Sequence, residues 1–363
     1  MGVRVTTEVN DKTAWLARAA AARAAGDLRE AQRLYVEAVA RWPHDAEPHH
    51  HLAGLHRRAG RLDLAEAEYR RTLSLAPGAA ATARVLATLL LSQGRFAEGF
   101  TLFEARHALP AMAKPALPFP EWRGEDPAGK QLLIWPEQGF GDQIQSARFA
   151  PVLQAMGAQV TLICAPALQR LFAASLGVPV IAAAGAVEFP DPDYWVMSGS
   201  LAARLGVTAE TIPAKPYLRA PEAAALPAGD GLKAGLMARG NPAHENDAHR
   251  SLGSDDARRL RDLPVRIVDL DPAATGARDF ADTAAIVDRL DLVISVDTSV
   301  AHLAGAMGKP CWVLLPAIET DWRWLRERAD SPWYPSVRLY RQGPGDGWGP
   351  VIDRLAADLA ARR

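Results

Sequence analysis

Two cysteines among 363 residues leave little material for disulfide or thiolate chemistry. Cys164 and Cys311 each fall in an apolar run read as a buried strand, so both are expected as core thiols. An excess of either charge is also missing. Lys and Arg total 41 and Asp and Glu 42, a net −1, so nothing recommends nucleic acid or an anionic membrane as a partner. No uninterrupted apolar run reaches the roughly 18 residues of a membrane span, and MGVRVTTEVNDKTAW lacks the apolar core of a signal peptide. A soluble cytoplasmic protein without an integral membrane segment is expected. No Gly-x-x-x-x-Gly-Lys-Ser/Thr occurs, which excludes a Walker-type nucleotide hydrolase. The length allows two or three domains.

What is present first is a repeat. Ala31, Tyr35, Ala38 and Pro43 return 34 residues later as Ala65, Tyr69, Thr72 and Pro77. A further 34 residues bring Gly99, Phe103, Arg106 and Ala111, and Gly26, Gly60 and Gly94 recur in step. This pattern resembles the tetratricopeptide repeat, each unit a pair of antiparallel helices. The small residues permit close approach, the aromatic fills the gap and proline ends the second helix. Three repeats are expected over residues 1–111. A solenoid of this kind presents a concave groove to a peptide. Its expected lining is His49, Leu52, His56, Ala83 and Leu90. His49, His50 and His51 diverge by about 100° per residue around a helix, so they cannot converge on one metal ion.

Prolines at 110, 115, 118, 120 and 127 predict an extended linker over residues 112–129, pinned by Phe119 and Trp122. From Lys130 onward strands and helices alternate. The apolar runs lack alternation and are bounded by glycine and proline, as in parallel strands covered on both faces. Two Rossmann-like domains are predicted, residues 130–222 and 223–345, with a C-terminal helix in 346–363.

Two strand–loop–helix junctions stand out. In the first, Leu132–Trp135 runs into Gly139-Phe140-Gly141-Asp142 and then a helix. In the second, Leu292–Val296 breaks at Asp297-Thr298-Ser299 before a small-residue helix. Such junctions present free backbone N–H groups and a positive dipole end to an anion. The dinucleotide fingerprint fails, because Ile144 replaces its third glycine and the following strand ends without an acidic residue. Asp142 reads either as a general base or as a helix N-cap. Asp297 would hold its turn or accept from a ribose hydroxyl. Thr298, Ser299 and His302 could meet a phosphate, with His302 equally readable as a buried structural histidine. Arg239 and Arg250 bracket a polar loop that could clamp a diphosphate or merely face solvent.

The spacing strand–Gly-x-Gly-Asp, then Asp-Thr-x-x-x-His-Leu-Ala-x-Ala-x-Gly-x-Pro, resembles the heptosyltransferase family of bacterial glycosyltransferases. Its matching residues are Gly139, Gly141, Asp142, Asp297, Thr298, His302, Leu303, Ala304, Ala306, Gly308 and Pro310. The stretches WPEQGFGDQIQSARF, RGNPAHENDAHRS and DWRW…DSPWYPSVRLYRQ are more similar to a bacterial group that fuses tetratricopeptide repeats to such a domain. The resemblance implies α-helical repeats followed by an α/β GT-B fold, with a nucleotide-sugar as substrate and no cofactor or essential metal. It also implies that Asp142 acts as the catalytic base. The expected nucleotide-sugar-binding set is Gly139, Gly141, Gln143, Arg239, Asn241, Arg250, Asp297, Thr298, Ser299 and His302. The final helix in such folds often crosses back onto the first Rossmann-like domain.

The expected activity is therefore a metal-independent, inverting transfer of a hexosyl, heptosyl or related sugar. The repeats would recruit a protein or peptide acceptor, a bacterial surface or flagellar protein being one kind. The alternatives are a non-catalytic repeat scaffold with a degenerate sugar-nucleotide domain, and a lipopolysaccharide heptosyltransferase. Asp191 and Asp193 match the Asp-x-Asp of metal-dependent glycosyltransferases of another fold, but FPDPDYW reads as a turn. Trp322, Trp324, Trp333 and Tyr334 would stack on a base or sugar, or close the domain by packing.

Overall fold

The computed structural model describes residues 11–222, 224 and 231–361. The first ten residues and the far side of the boundary expected at 222/223 lie outside them. Contacts divide the chain into two units. One runs to Leu90 and adds Thr101–Ala113; the other comprises Leu91–Phe100 and everything from Lys114.

The first unit is built of helix pairs. Its helices are α1 (Lys12–Ala24), α2 (Leu28–Arg41), α3 (Ala46–Arg58), α4 (Leu62–Leu75), most of α5 (Ala80–Ser92) and the end of α6 (Phe96–Phe103). Asp11, Asp27 and Asp45 start α1, α2 and α3 by accepting a backbone N–H from the first turn. Gly26 and Gly60 turn the chain with φ of 80° and 72°, a region costly for any side chain with a Cβ. Ala31 and Ala65 are wholly buried, and Tyr35 and Tyr69 nearly so, which is the packing that the 34-residue period predicts. Arg106 replaces the small residue of the third unit. It is fully buried, with Nη1 donating to Phe103 O at 3.0 Å and its guanidinium over the Phe103 ring.

The expected groove lining requires correction. His49, Leu52, His56, Ala83 and Leu90 are all at least nine-tenths buried. Leu52 and Leu90 belong to two apolar clusters between neighbouring helices, and His49 Nδ1 meets Glu68 Oε2 at 2.5 Å. All five side chains are buried and offer no open surface.

In the second unit, the first half consists of β1 (Gln131–Trp135), α7 (Phe140–Ala147), α8 (Phe149–Ala155), β2 (Gln159–Cys164), α9 (Pro166–Ser175), β3 (Val180–Ala182), β4 (Tyr194–Met197) and α10 (Leu201–Arg204). Its sheet is parallel, in the order β3-β2-β1-β4. The second half contains β5 (Lys233–Met237), α11 (Asp247–Arg250), α12 (Ser254–Arg261), β6 (Arg266–Asp269), α13 (Pro272–Thr275), α14 (Phe280–Asp288), β7 (Leu292–Val296), α15 (Ser299–Ala306), β8 (Cys311–Leu315), β9 (Val337–Arg341) and α16 (Gly349–Ala360). Its sheet is parallel, in the order β6-β5-β7-β8-β9. Helical repeats followed by two Rossmann-like sheets are the expected fold class. In each sheet the order reverses beside the first strand, β1 or β5, and the crevice beyond the strand ends at such a switch point is where open α/β sheets bind ligands.

Four local results differ from the sequence reading. The helix that follows Asp142 breaks at Arg148, whose side chain is buried. The proline-rich stretch is extended, but it is built into the sheet. Trp122 N–H donates to Trp195 O at 2.8 Å, Trp195 N–H to Pro120 O at 3.0 Å, and the Trp122 ring is buried. Residues 91–100, assigned above to the repeats, contribute Leu91, Phe96 and Phe100 to the main apolar cluster of the second unit. Finally, α16 does not cross to the first half. Val351, Ile352, Leu355 and Leu359 bury against Leu236, Leu260 and Trp312 of the second half. Among the described residues no helix is long and apolar enough to cross a membrane. Cys164 and Cys311 are free and buried.

Candidate functional site

The two junctions singled out in the sequence meet. Gly139 caps α7, and Asp142 in its first turn bonds back, with Oδ2 accepting from Gly139 N–H at 2.9 Å. Helix α7 packs against α15 of the other half. The contact is so close that a Cβ at Gly141 would lie 2.8 Å from His302 Cδ2 and 3.6 Å from Ser299 Cα. That is why glycine stands there: a methyl group would push the two helix starts apart.

Arg323 fastens the junction. Its Nη2 donates to Asp142 Oδ1 at 2.6 Å, Nε to Gln145 Oε1 at 2.5 Å and Nη1 to both oxygens of Asp321 at 3.0–3.1 Å. The guanidinium also lies 4.3 Å from the Trp322 ring centroid. Burial pushes the Asp142 carboxyl above its ordinary pKa; the Arg323 charge opposes that rise and Asp321 adds to it. Burial would also raise Asp321, but Arg323 outweighs it and brings Asp321 below the usual range.

On the α15 side, Thr298 caps the helix, with Oγ1 accepting from Val300 N–H at 3.3 Å and lying 3.1 Å from Ser295 Oγ. Thr298 and Ser299 remain partly exposed. Asp297 points inward, its Oδ1 accepting from Trp324 Nε1–H at 2.8 Å. Its pKa is raised by burial first and by Asp321 second. His302 is buried under Trp324, with ring centroids 4.9 Å apart, and Nδ1 lies 3.0 Å from Tyr334 Oη. Burial drives its pKa down to about 3, so the imidazole is neutral at physiological pH.

The structure thus gathers Gly139, Gly141, Asp142, Asp297, Thr298, Ser299 and His302 at one place. Gln143 is withdrawn from the expected binding set. It is buried, with Oε1 accepting from Ala165 N–H at 2.9 Å and Nε2 donating to Gln138 O at 3.4 Å, so it ties loops together. Arg250 is likewise committed, Nη1 to Asp297 O at 2.8 Å and Nε to Asp247 Oδ1 at 3.1 Å. It braces the junction from behind. Asn241 Oδ1 accepts from Ala243 N–H within its own turn. Arg239 is exposed beside a cavity of about 310 Å³ shared with Ser254, Arg258, Asp269 and Asp271. Asp193 Oδ2 accepts from Gln131 N–H at 2.8 Å and so caps β1. Among the described residues no group of three or more His, Cys, Asp or Glu could hold a metal ion.

Sequence reasoning missed Arg323, Asp321 and Gln145. The signal for Arg323 lay in DWRW: an arginine between two tryptophans, which the structure buries together.

Residues 22–78 match the tetratricopeptide repeat family. The protein FlbA of Caulobacter vibrioides is 28% identical over 325 residues, covering 75% of this chain; the chain spans about half the length of that curated relative, 54%. Among solved structures, a glycosyl transferase family 9 protein from Veillonella parvula is similar at 13% identity, covering 67% of this chain and 92% of its own, with a TM-score of 0.39. The iron-containing dodecameric glycosyltransferase TibC of enterotoxigenic E. coli is similar at 14% identity, covering 68% and 80%, with a TM-score of 0.42.

Proposed function

We propose that the second unit transfers a sugar from a nucleotide-sugar donor to an acceptor hydroxyl, with Asp142 as the base. The observation that carries this reading is the meeting of the α7 and α15 starts at Gly141 and His302. It places a carboxylate of raised pKa beside a helix start suited to phosphate. Asp142 takes the proton of the attacking hydroxyl. The backbone N–H groups of the first turn of α15, the Thr298 and Ser299 hydroxyls and the positive end of the helix dipole meet the departing diphosphate. These groups supply the charge stabilisation that a divalent metal provides elsewhere, so the reaction is metal-independent. With Asp142 acting as base on the acceptor hydroxyl and no covalent intermediate, the displacement is in-line and inverts the sugar carbon. With a nucleotide-sugar as donor, the site of action is the cytoplasm. The repeats recruit a protein acceptor, using a surface other than the five buried residues named above.

A second reading, a scaffold that keeps the nucleotide fold without turnover, draws on one fact: both Asp142 oxygens are already engaged, by Gly139 N–H and Arg323. A carboxylate carries about four lone-pair sites, so even with Asp142's own N–H counted among the donors there is room for an acceptor hydroxyl. Thermal-shift measurement against ADP-, UDP-, GDP- and CMP-linked sugars tests the site. One base class should raise the melting temperature, by an amount set by its concentration relative to Kd. Slow donor hydrolysis should then appear in the wild type and vanish in Asp142→Asn. Binding without hydrolysis or transfer selects the scaffold; no shift with any donor removes both readings.

A further inference from the structure

Tyr334 occupies a space that α15 leaves open for it. A Cβ at Gly305 would lie 2.5 Å from Tyr334 Cγ, so the helix can carry no side chain there while the phenol ring remains. The ring is buried, and its Oη lies 3.0 Å from His302 Nδ1. Trp324 stacks on the imidazole at an interplanar angle of 27°. The remaining edge of the imidazole, Cδ2 and Nε2, is the edge that meets Gly141.

Counting protons decides what the hydrogen bond does. The neighbouring phenol, Tyr217, spends its single proton on Ile144 O at 2.8 Å, and its oxygen accepts from Arg148 Nη2 at 3.3 Å. Arg148 is buried, with Nε committed to Gln145 O and Nη1 to Trp333 O and Pro213 O. Its guanidinium carbon lies 4.7 Å from the Tyr334 ring centroid, which strengthens the phenol as a donor. Tyr217 Oη and Tyr334 Oη also interact, so the Tyr334 proton has two acceptors within reach, the Tyr217 oxygen and His302 Nδ1. An imidazole nitrogen is a stronger acceptor than a phenol oxygen already taking a bond from Arg148. A buried O–H left without an acceptor would carry the full desolvation penalty.

We propose that Tyr334 is a positioning residue: its phenolic proton, donated to Nδ1, locks His302 as the neutral Nε2–H tautomer and turns that N–H toward the Gly139–Asp142 loop. There it is an uncharged donor to a phosphate oxygen; only this last clause rests on the nucleotide-sugar reading. The surroundings oppose the alternative of a charged imidazole. Burial comes first, and Arg323 and Arg148 both disfavour a further positive charge, with only the Asp321 carboxylate acting against them.

The test is nitrogen NMR of the full chain labelled at its nine histidines, with His302→Gln used to assign the signal. The expected wild-type result is a protonated Nε2 and an unprotonated Nδ1, unchanged across the pH range in which free histidine titrates. Tyr334→Phe keeps the ring and deletes the donor; it should convert His302 to a mixture of tautomers while near-UV circular dichroism stays native. Tyr217→Phe removes the competing acceptor of the Tyr334 proton and keeps the Tyr334 donor, so the Nε2–H tautomer should persist. An Nδ1–H tautomer in the wild type overturns the proposal, as does an unchanged tautomer in Tyr334→Phe or an equal change in Tyr217→Phe. Inorganic pyrophosphate should bind the wild type, and bind Tyr334→Phe roughly ten-fold more weakly, as expected for a lost hydrogen bond to a charged group. A wild type that holds the tautomer and ignores pyrophosphate overturns the phosphate role and the donor reading together, with the tautomer lock intact.

Discussion

Arg323 Nη2 lies 2.6 Å from Asp142 Oδ1, and the two residues follow strands of different parallel sheets. Arg323 belongs to a single turn of 3-10 helix after β8, Asp142 to the first turn of α7 after β1. The ion pair fixes the carboxylate against the start of α15 and leaves it with a raised pKa in spite of the guanidinium. A carboxylate held in this way is oriented, as the proposed role of base requires.

Asp142→Asn should reduce transfer by on the order of 10² to 10⁴, the usual loss for one general base, with donor affinity changed only a few-fold. Initial rates and donor titration on the same preparation check this. Wild-type turnover by the Asn variant would remove Asp142 from the chemistry.

The pH dependence has opposite signs for rate and stability. The Asp142 pKa is raised in the folded protein, so its ionised form costs stability; that cost shrinks as pH falls through the folded pKa and is gone below the unfolded one. Rate, in contrast, needs the ionised base and should fall over the same interval. Asp142→Asn should therefore melt no lower than wild type at alkaline pH, with any advantage fading on acidification. Paired melting curves across pH decide it: a variant that loses stability only at high pH contradicts the raised pKa.

Arg323→Met removes the charge that holds Asp142 and Asp297 down, so both should rise further. The acid limb of the rate profile should move to higher pH. An acid limb left in place would show that Arg323 does not govern the base.

Gly141→Ala introduces a methyl 2.8 Å from His302 Cδ2. Overpacking of this kind costs about 1–3 kcal/mol, and here it separates α7 from α15. Transfer should be lost in a protein that still unfolds cooperatively. Full activity in the Ala variant would mean that the two helix starts need not touch.

Removing residues 1–111 should destabilise the remaining unit more than removing 1–90. The longer deletion takes Phe96 and Phe100 from their contacts with Trp333 and Trp322, at 5.7 Å between centroids in each case. Buried Phe→Ala substitutions cost about 3–5 kcal/mol each, which sets the scale. Denaturant midpoints of the two truncations provide the comparison, and equal midpoints would show that segment 91–100 carries no stability for the second unit.

Much of this protein was legible in its sequence because the signals were periodic or local. A 34-residue recurrence of Ala31, Tyr35 and Ala38 specifies helix pairs, since each helix must repeat its own packing. Unalternated runs such as Leu292–Val296 specify buried parallel strands, and the residues around Gly139 and Thr298 mark helix starts through backbone geometry that acts within a few residues. What tertiary structure alone decided is which long-range neighbours those local pieces meet. No periodicity tells Arg323 to seek Asp142 across 181 positions, gives Tyr334 the hydrogen bond to His302, or buries His49 and Leu90 where a groove was expected. Nor does a proline-rich composition reveal that Glu121 will pair with Trp195, because extended backbone is common to linkers and sheet edges. Those outcomes depend on burial and on charge compensation between segments distant in the chain, and both are fixed only when the helices and sheets pack.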